Sequence, residues 1–408
     1  MAYYFIFPES DTTLYSHPDR KTMNAGGDEL LELVKEPGST DQYHHPSRIL
    51  IRFKNEEITN ALSLIGPTNF TSSLSSSVKL QLTLADAHNI TSTHVINAYA
   101  ISQSWDEGTG KYLNIPTASN GASWFFRDNS TTVTSWTGSG TATDWFGSAA
   151  TAHGYGTGSI ASASLTQGGG TWYTGSNFYG TQQFLKGDNL DTDIDVKEII
   201  HKFSASLNGG QTFPAGIPNN GFLLKTLDSV ESNASSSFGE LQYFSSDTHT
   251  IYPPKLTFAW NDSINQTNQY NNDDVITSGS LDLSIYNIKK EYNQNEIAIF
   301  RINVRNKYPV RSFDHESNYL KMGRLRTSTD PNRSSHYSIR DAHTERVIIP
   351  FHDDFTIISN DGESSFFRLY MNGLQPERYY RILIKMTETG HSLETKIFDD
   401  NYFFKVVR

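Results

Sequence analysis

The chain has 408 residues, 36% hydrophobic, 12% aromatic and 19% charged, with a net charge of −11. It is too apolar for a disordered polymer and too long for one core, so two or three domains are expected. The absence of Cys excludes a disulfide framework, a thiolate zinc site and a cysteine nucleophile.

The charge is unevenly placed. Residues 1–261 hold 14 of the 33 Lys and Arg but 24 of the 44 Asp and Glu, leaving 19 and 20 for residues 262–408. An acidic front repels phosphate backbones, and no basic patch with interleaved aromatics follows it, so nucleic acid is not an expected partner. No apolar run reaches the length of about eighteen residues that a membrane span needs, and the opening residues lack the pattern of a secretory signal. A soluble chain without membrane insertion is expected.

Ser, Thr, Asn and Gly crowd out the usual helix formers, and 24 Phe and 21 Tyr favour strands, so the class is β. In chain order, residues 3–7 and 48–53 are short alternating runs separated by turn-rich sequence containing Pro18, Asn24, Gly26 and Gly27. Residues 78–84 place Val78, Leu80, Leu82 and Leu84 on one face, the period of a half-buried strand. Residues 94–102 form a second such run. From Trp145 to Leu185 there are 41 residues without one Asp, Glu, Lys or Arg, yet rich in Gly, Ser, Trp, Tyr and Phe. A disordered linker lacks aromatics, so this stretch is expected to pack on something.

Asp195 and Glu198 have the spacing of a capping box, and Val196, Ile199, Ile200 and Phe203 then recur on one helical face. A short helix is predicted there. Residues 255–260 read as a last strand, after which 261–274 is polar and marks a domain boundary. Runs at 281–288, 297–304, 366–371, 379–386 and 402–407 predict a second all-β domain. The expected organisation is thus 1–261, a linker at 262–279, and 280–408.

Motifs for catalysis are missing: there is no nucleophile elbow, no His-Glu-x-x-His and no phosphate-binding Gly-rich loop. The carboxylate pairs Glu56-Glu57, Asp273-Asp274, Asp353-Asp354 and Asp399-Asp400 are adjacent, so in a strand they face opposite ways and do not converge as acid and base. The expectation is a non-enzyme. Asp191, Asp193 and Asp195 alternate, which in extended backbone projects carboxylates from one side and suits calcium, although the glycine and distal glutamate of a calcium loop are missing. Asp195 already has a capping role, leaving Asp191 and Asp193 as the candidate metal ligands. Histidines at His44-His45, Asp314-His315-Glu316 and His352-Asp353 read as surface residues. Five of the six Trp lie between Trp105 and Trp172. Trp136, Trp145, Trp172 and Tyr173 on Gly-rich sequence form either a platform for stacking on sugar rings or a buried surface against a neighbouring subunit or the domain's own sheet.

Several pieces occur in a recognisable order across 1–261: Asn24-Ala25-Gly26-Gly27, Ser47-Arg48-Ile49-Leu50-Ile51-Arg52-Phe53, Trp105-Asp106-Glu107-Gly108-Thr109-Gly110, Gly121-Ala122-Ser123-Trp124, Gly168-Gly169-Gly170, Asp195-Val196, Asn220-Gly221-Phe222 and Pro254-Lys255-Leu256. Together they resemble the DNRLRE domain, which implies a jelly-roll-like β-sandwich also classed among carbohydrate-binding modules. The long uncharged stretch departs from that family, and no binding residue is carried over. In the second domain, Leu374-Gln375-Pro376 followed by Tyr380, Ile382 and Ile384 resembles the strand-end pattern of fibronectin type III domains, which implies a Tyr hydroxyl tied to the upstream backbone. The expected fold class is all-β, a jelly-roll-like β-sandwich followed by a smaller immunoglobulin-like β-sandwich. The whole chain resembles virion structural proteins of tailed marine phages, in particular cyanophages. That resemblance implies a virion location, in the tail, baseplate or fibre apparatus, with oligomeric contacts to other virion proteins. The alternative it leaves open is a carbohydrate-binding module for a host surface glycan.

Overall fold

Alternating apolar residues and turn-forming punctuation produce an all-β protein, seen here in a computed structural model that describes residues 2–38, 44–66, 76–90, 93–136, 146–147, 168–173, 176–207, 216–231, 239–264, 275–276, 281–308, 324–325, 335–361, 364–387 and 395–408. The chain divides into two units. One comprises Ile6–Ser63 and Val78–Thr257, the other Met1–Phe5, Leu64–Ser77 and Phe258–Arg408. Of the expected linker at 262–279, residues 265–274 and 277–279 lie outside the described residues, while Val275–Ile276 pairs in parallel with Arg324–Leu325. Among the described residues no helix is long and apolar enough to cross a membrane.

The first unit is built on an eight-stranded sheet that curls into a half-barrel. At its centre His44–Phe53 pairs antiparallel with both Pro8–Tyr15 and Phe222–Thr226, and the latter continues to His94–Ala100 and Tyr179–Phe184. Because side chains alternate across a strand, Ile49, Ile51 and Phe53 face one way and Arg48, Leu50 and Arg52 the other. The first set is sealed by Phe222 and Phe203, whose rings lie 5.7 Å apart, with Phe53 6.0 Å from Phe222. Phe203 comes from the helix Lys197–Leu207, where the sequence predicts one. The Lys197 N–H donates to Asp195 Oδ1 at 3.0 Å, and Val196, Ile199, Ile200 and Phe203 are all buried.

Two elements differ from the sequence reading. The strand expected over 78–84 stops at Leu82, and Leu84–His88 joins a different sheet. Side chains end the ladder: the Leu82 N–H donates to Thr192 Oγ1 and the Leu84 N–H to Asp191 Oδ1, both at 2.8 Å. A helix at Asn55–Ile65 has no counterpart in that reading, although Ile58, Ala61 and Ile65 are all buried at i, i+3 and i+7 spacing.

The second unit is a β-sandwich. One sheet orders Leu281–Ile285, Ile297–Asn306, Ser365–Tyr370 and Ser359–Asn360; the other orders Glu291–Asn293, Thr395–Val407, Arg378–Thr387, His336–Asp341 and Val347–Ile349. Between them Tyr337 stacks on Phe367 at 4.2 Å and Phe367 on Phe300 at 5.1 Å. Tyr380 is buried, and its hydroxyl donates to the Gln375 carbonyl at 3.0 Å, the tie-back that the Leu374-Gln375-Pro376 pattern implies. Removing that donor deletes a buried hydrogen bond, so Tyr380→Phe is expected to cost about 1 kcal/mol in urea unfolding. A loss below the error of the measurement would show that the tie-back contributes nothing.

His336 gives this unit an acid sensitivity. It is 1% exposed, Asp353 Oδ1 lies 3.9 Å from its Nε2, and Lys385 stands opposite it in the ladder. Burial, with help from Lys385, pulls the imidazole from its ordinary 6.5 down to about 4, against the attraction of Asp353. The folded state therefore holds a neutral ring where the unfolded chain is protonated. Its contribution is fully present above pH 6.5 and is lost as pH falls through about 4. Unfolding of wild type and His336→Gln across this range should show the wild type losing stability faster on acidification, by up to about 1.4 kcal/mol per pH unit. Parallel curves would remove His336 as the source.

Candidate functional site

The most densely built polar constellation of the first unit lies on the sheet face opposite the Phe203 core. Arg48 and Lys225 sit one strand apart in the middle of apolar runs, and the register that pairs Leu223 with Leu50 sends both side chains to this face. Glu231, from the short helix Asp228–Glu231, meets them there. Arg48 Nε donates to Glu231 Oε1 at 3.1 Å and Nη2 to Oε2 at 2.7 Å, a bidentate pair. Lys225 Nζ lies 3.0 Å from Glu231 Oε2 and donates to the Thr226 carbonyl at 3.0 Å; it also pairs with Asp228. The side chains of Arg48, Lys225 and Glu231 are all 0% exposed. Burial pushes the Glu231 carboxyl up, but Arg48 and Lys225 outweigh it and hold the group below the usual carboxylate range. Beside them, burial brings the Lys35 ammonium down to about 8 despite the attraction of Glu231, and Lys35 Nζ donates to the Val230 carbonyl at 2.6 Å.

Aromatic rings cover these charges. The Arg48 guanidinium lies 4.7 Å from the Trp124 ring centre and 5.1 Å from that of Trp172, and Lys225 Nζ is 5.6 Å from Trp172. Trp105, Trp124, Trp136 and Trp172 join Leu14, Leu50, Ile101, Ala122 and Leu223 in one buried cluster. Gly168, Gly169 and Gly170 thread through it with φ of +102°, +78° and +89°. The Gly169 carbonyl accepts from Arg48 Nη1 at 2.7 Å, and a Cβ on Gly169 would press on that guanidinium and lie 2.7 Å from Trp124 Cη2. Glycine is required here both by the left-handed backbone and by the closeness of the approach.

The structure thus places three of the four predicted aromatics inside the unit. Trp136, Trp172 and Tyr173 are 6%, 2% and 8% exposed, the Trp136 indole N–H donates to the Ser123 carbonyl at 2.9 Å, and Tyr173 stacks on Phe178 at 5.2 Å. Rings covered in this way are part of the unit's own packing, one of the two alternatives that the sequence leaves open for them. Trp145 lies outside the described residues, as do 148–167 and 174–175 of the uncharged stretch.

The candidate calcium ligands are engaged with protein partners. Asp191 Oδ1 accepts from the Leu84 N–H at 2.8 Å; Asp193 Oδ1 accepts from Gln81 at 2.8 Å, and Lys79 Nζ lies 3.1 Å from its Oδ2. Among the described residues no group of three or more His, Asp or Glu is gathered so as to hold a metal ion.

A second constellation fixes a loop. Asn24 Nδ2 donates to the Glu107 carbonyl at 2.6 Å and the Ala122 carbonyl at 2.8 Å, while its Oδ1 accepts from the Gly110 N–H at 2.8 Å. One amide side chain therefore ties both ends of the 105–122 loop, and Gly26 packs so closely on the Glu107 carbonyl that a Cβ would collide with it. The sequence marks Asn24 and Gly26 as turn residues and, with Arg48, as pieces of the family resemblance, without a partner for any of them; Lys225 and Glu231 it does not mark. The one local signal of Arg48 and Lys225 is a lone charge inside an apolar run, as in Arg48-Ile49-Leu50-Ile51 and Leu223-Leu224-Lys225.

Compared with known proteins, the sequence matches no family model, and no curated protein matches it. Chemically, the buried cluster neutralises its own charges and keeps water from them, so it organises the fold. Glu231→Gln takes the carboxylate away from buried Arg48 and leaves Lys225 with Asp228, and it is expected to cost about 3–5 kcal/mol in denaturant unfolding. A loss under about 1 kcal/mol, the range of an exposed pair, would contradict the burial described.

Proposed function

We propose that this chain is a non-enzymatic structural component of a phage virion, in its tail, baseplate or fibre apparatus, acting through protein–protein interfaces. One observation carries the reading: Trp136, Trp172 and Tyr173, the described aromatics best suited to a ligand platform, are spent on the unit's own core, and the charged groups beside them are paired with one another. A framework stabilised in this way serves a part whose task is to hold shape. The order of motifs resembling the DNRLRE domain and the likeness to phage structural proteins supply the setting.

Mass spectrometry of purified particles of a phage encoding this chain is the test. The chain is expected among the virion proteins, and its consistent absence from intact particles would overturn the proposal. Trp172→Ala, which removes a large buried ring beside Arg48, is expected to cost about 3–5 kcal/mol and to reduce soluble yield and incorporation together.

A second reading, a glycan-binding module, is favoured by a different pair of rings. Tyr179 is 39% exposed and lies 5.3 Å from Tyr99, whose hydroxyl accepts from Asn97 Nδ2 at 3.1 Å. An exposed aromatic ring offers an apolar face on which a sugar ring can stack. Glycan-array binding by the full chain, abolished by Tyr179→Ala while incorporation into particles stays normal, would promote that reading.

A further inference from the structure

The root of the 105–122 loop rests on two acidic side chains that nothing above uses. Asp11, on the strand Pro8–Tyr15, is 1% exposed. Its Oδ2 accepts from the Ser246 N–H at 2.7 Å, whereas its buried Oδ1 has no hydrogen-bond partner among the described residues. Glu107, on the loop, reaches the same strand: its Oε1 accepts from the Asp11 N–H at 2.7 Å. A buried carboxylate that stays ionised usually collects two or three donors or an adjoining cation. Asp11 draws on Ser246 only, through its backbone N–H and its side chain, and its charged neighbours are Glu107 and Asp247. Glu107 also faces Asp106 and Asp247, with Arg52 as the cation nearby. Arg52 is already spread over Glu9 Oε1 at 2.7 Å, the Trp105 carbonyl at 2.8 Å and Ser10 Oγ at 3.1 Å. The adjoining 24–27 turn adds Asn24 and Gly26, which carry no charge.

We propose that Asp11 and Glu107 form a proton-operated latch that fixes the root of the 105–122 loop to the sheet. With protons bound, the two acids sit together beneath the loop without repulsion. With the protons lost, two negative charges share a poorly solvated space beside Asp247, and the strain is relieved by lifting Glu107 off the Asp11 N–H. The loop it governs carries Leu113 and Ile115, 85% and 97% exposed, so the latch determines whether these two aliphatic side chains are presented on a fixed frame.

The direction follows from burial, which pushes each carboxyl up to about 7, offset in part by Ser246 for Asp11 and by the Asp11 N–H for Glu107. An opened loop returns the groups to ordinary carboxylate values near 4. The closed loop is therefore favoured by bound protons: its stabilisation is complete below the ordinary range, declines as pH rises, and is exhausted once pH passes about 7.

Hydrogen exchange of the full chain between pH 5 and 8, corrected for intrinsic rates, reads the opening through the Gly110, Tyr112 and Ala122 amides, which donate within the first unit to Asn24 Oδ1, Asp28 Oδ2 and the Asp106 carbonyl. The opening constant is expected to rise about tenfold per pH unit for each proton released, up to pH 7, and then to level. Asp11→Asn, which keeps an oxygen for the Ser246 N–H, and Glu107→Gln should each flatten that rise, with amides of His44–Phe53 unaffected. A rise of equal slope in wild type and both variants, or no rise in the wild type, would overturn the latch. Two variants on different elements guard against one of them misfolding.

Discussion

The ion pair between Arg48 and Glu231 is the interaction on which the first unit depends. Taking both charges out of water costs several kcal/mol per ion, which only close, multiple and well-directed contacts offset. Those contacts come from four separate stretches of chain: a bidentate fork to Glu231, the Gly169 carbonyl, the rings of Trp124 and Trp172, and a second cation at Lys225. None of these partners can be displaced without leaving a buried charge poorly satisfied. The short helix Asp228–Glu231, the glycine run and the tryptophan cluster are therefore consequences of one requirement.

Among the described residues, the second unit has no ion triad in its core. Its interior is a stack of aromatic rings, Tyr337 on Phe367 on Phe300, with the hydroxyl of Tyr380 led out to a backbone carbonyl. Where polar groups are buried with incomplete partners, the two units lean in opposite directions. Asp11 and Glu107 favour bound protons, whereas His336 favours the neutral ring.

The strands were largely legible because period two is imposed by the sheet itself. Lys255–Trp260 lies where the alternation puts it, and Tyr380 follows its Pro-containing lead as the pattern implies. The helix at Asn55–Ile65 was hidden behind polar residues, Asn55-Glu56-Glu57, that also suit a turn. The switch of sheets after Leu82 depends on Asp191 and Thr192, more than 100 residues away, and no local pattern encodes it. The same limit explains the candidate site. Arg48 and Glu231 are 183 positions apart, so nothing local in the sequence links the one to the other. Composition leads to the expectation that the stretch from Trp145 to Leu185 packs, and among its described residues Trp172, Tyr173 and Phe178 are buried; but a buried ring and a ligand-facing ring have the same composition, and the placement of Trp172 against Arg48 separates them.

The glycine run belongs to the interior of the first unit, held there by Arg48 and Trp124. The Gly169 N–H donates to the Trp124 carbonyl at 2.6 Å, so the exchange rate of that single amide reports this placement directly. Protection of Gly169 comparable to that of Ile49 and Ile51 in the central strand is the expected result. Exchange of Gly169 at the rate of an unprotected loop, while Ile49 and Ile51 remain protected, would contradict it.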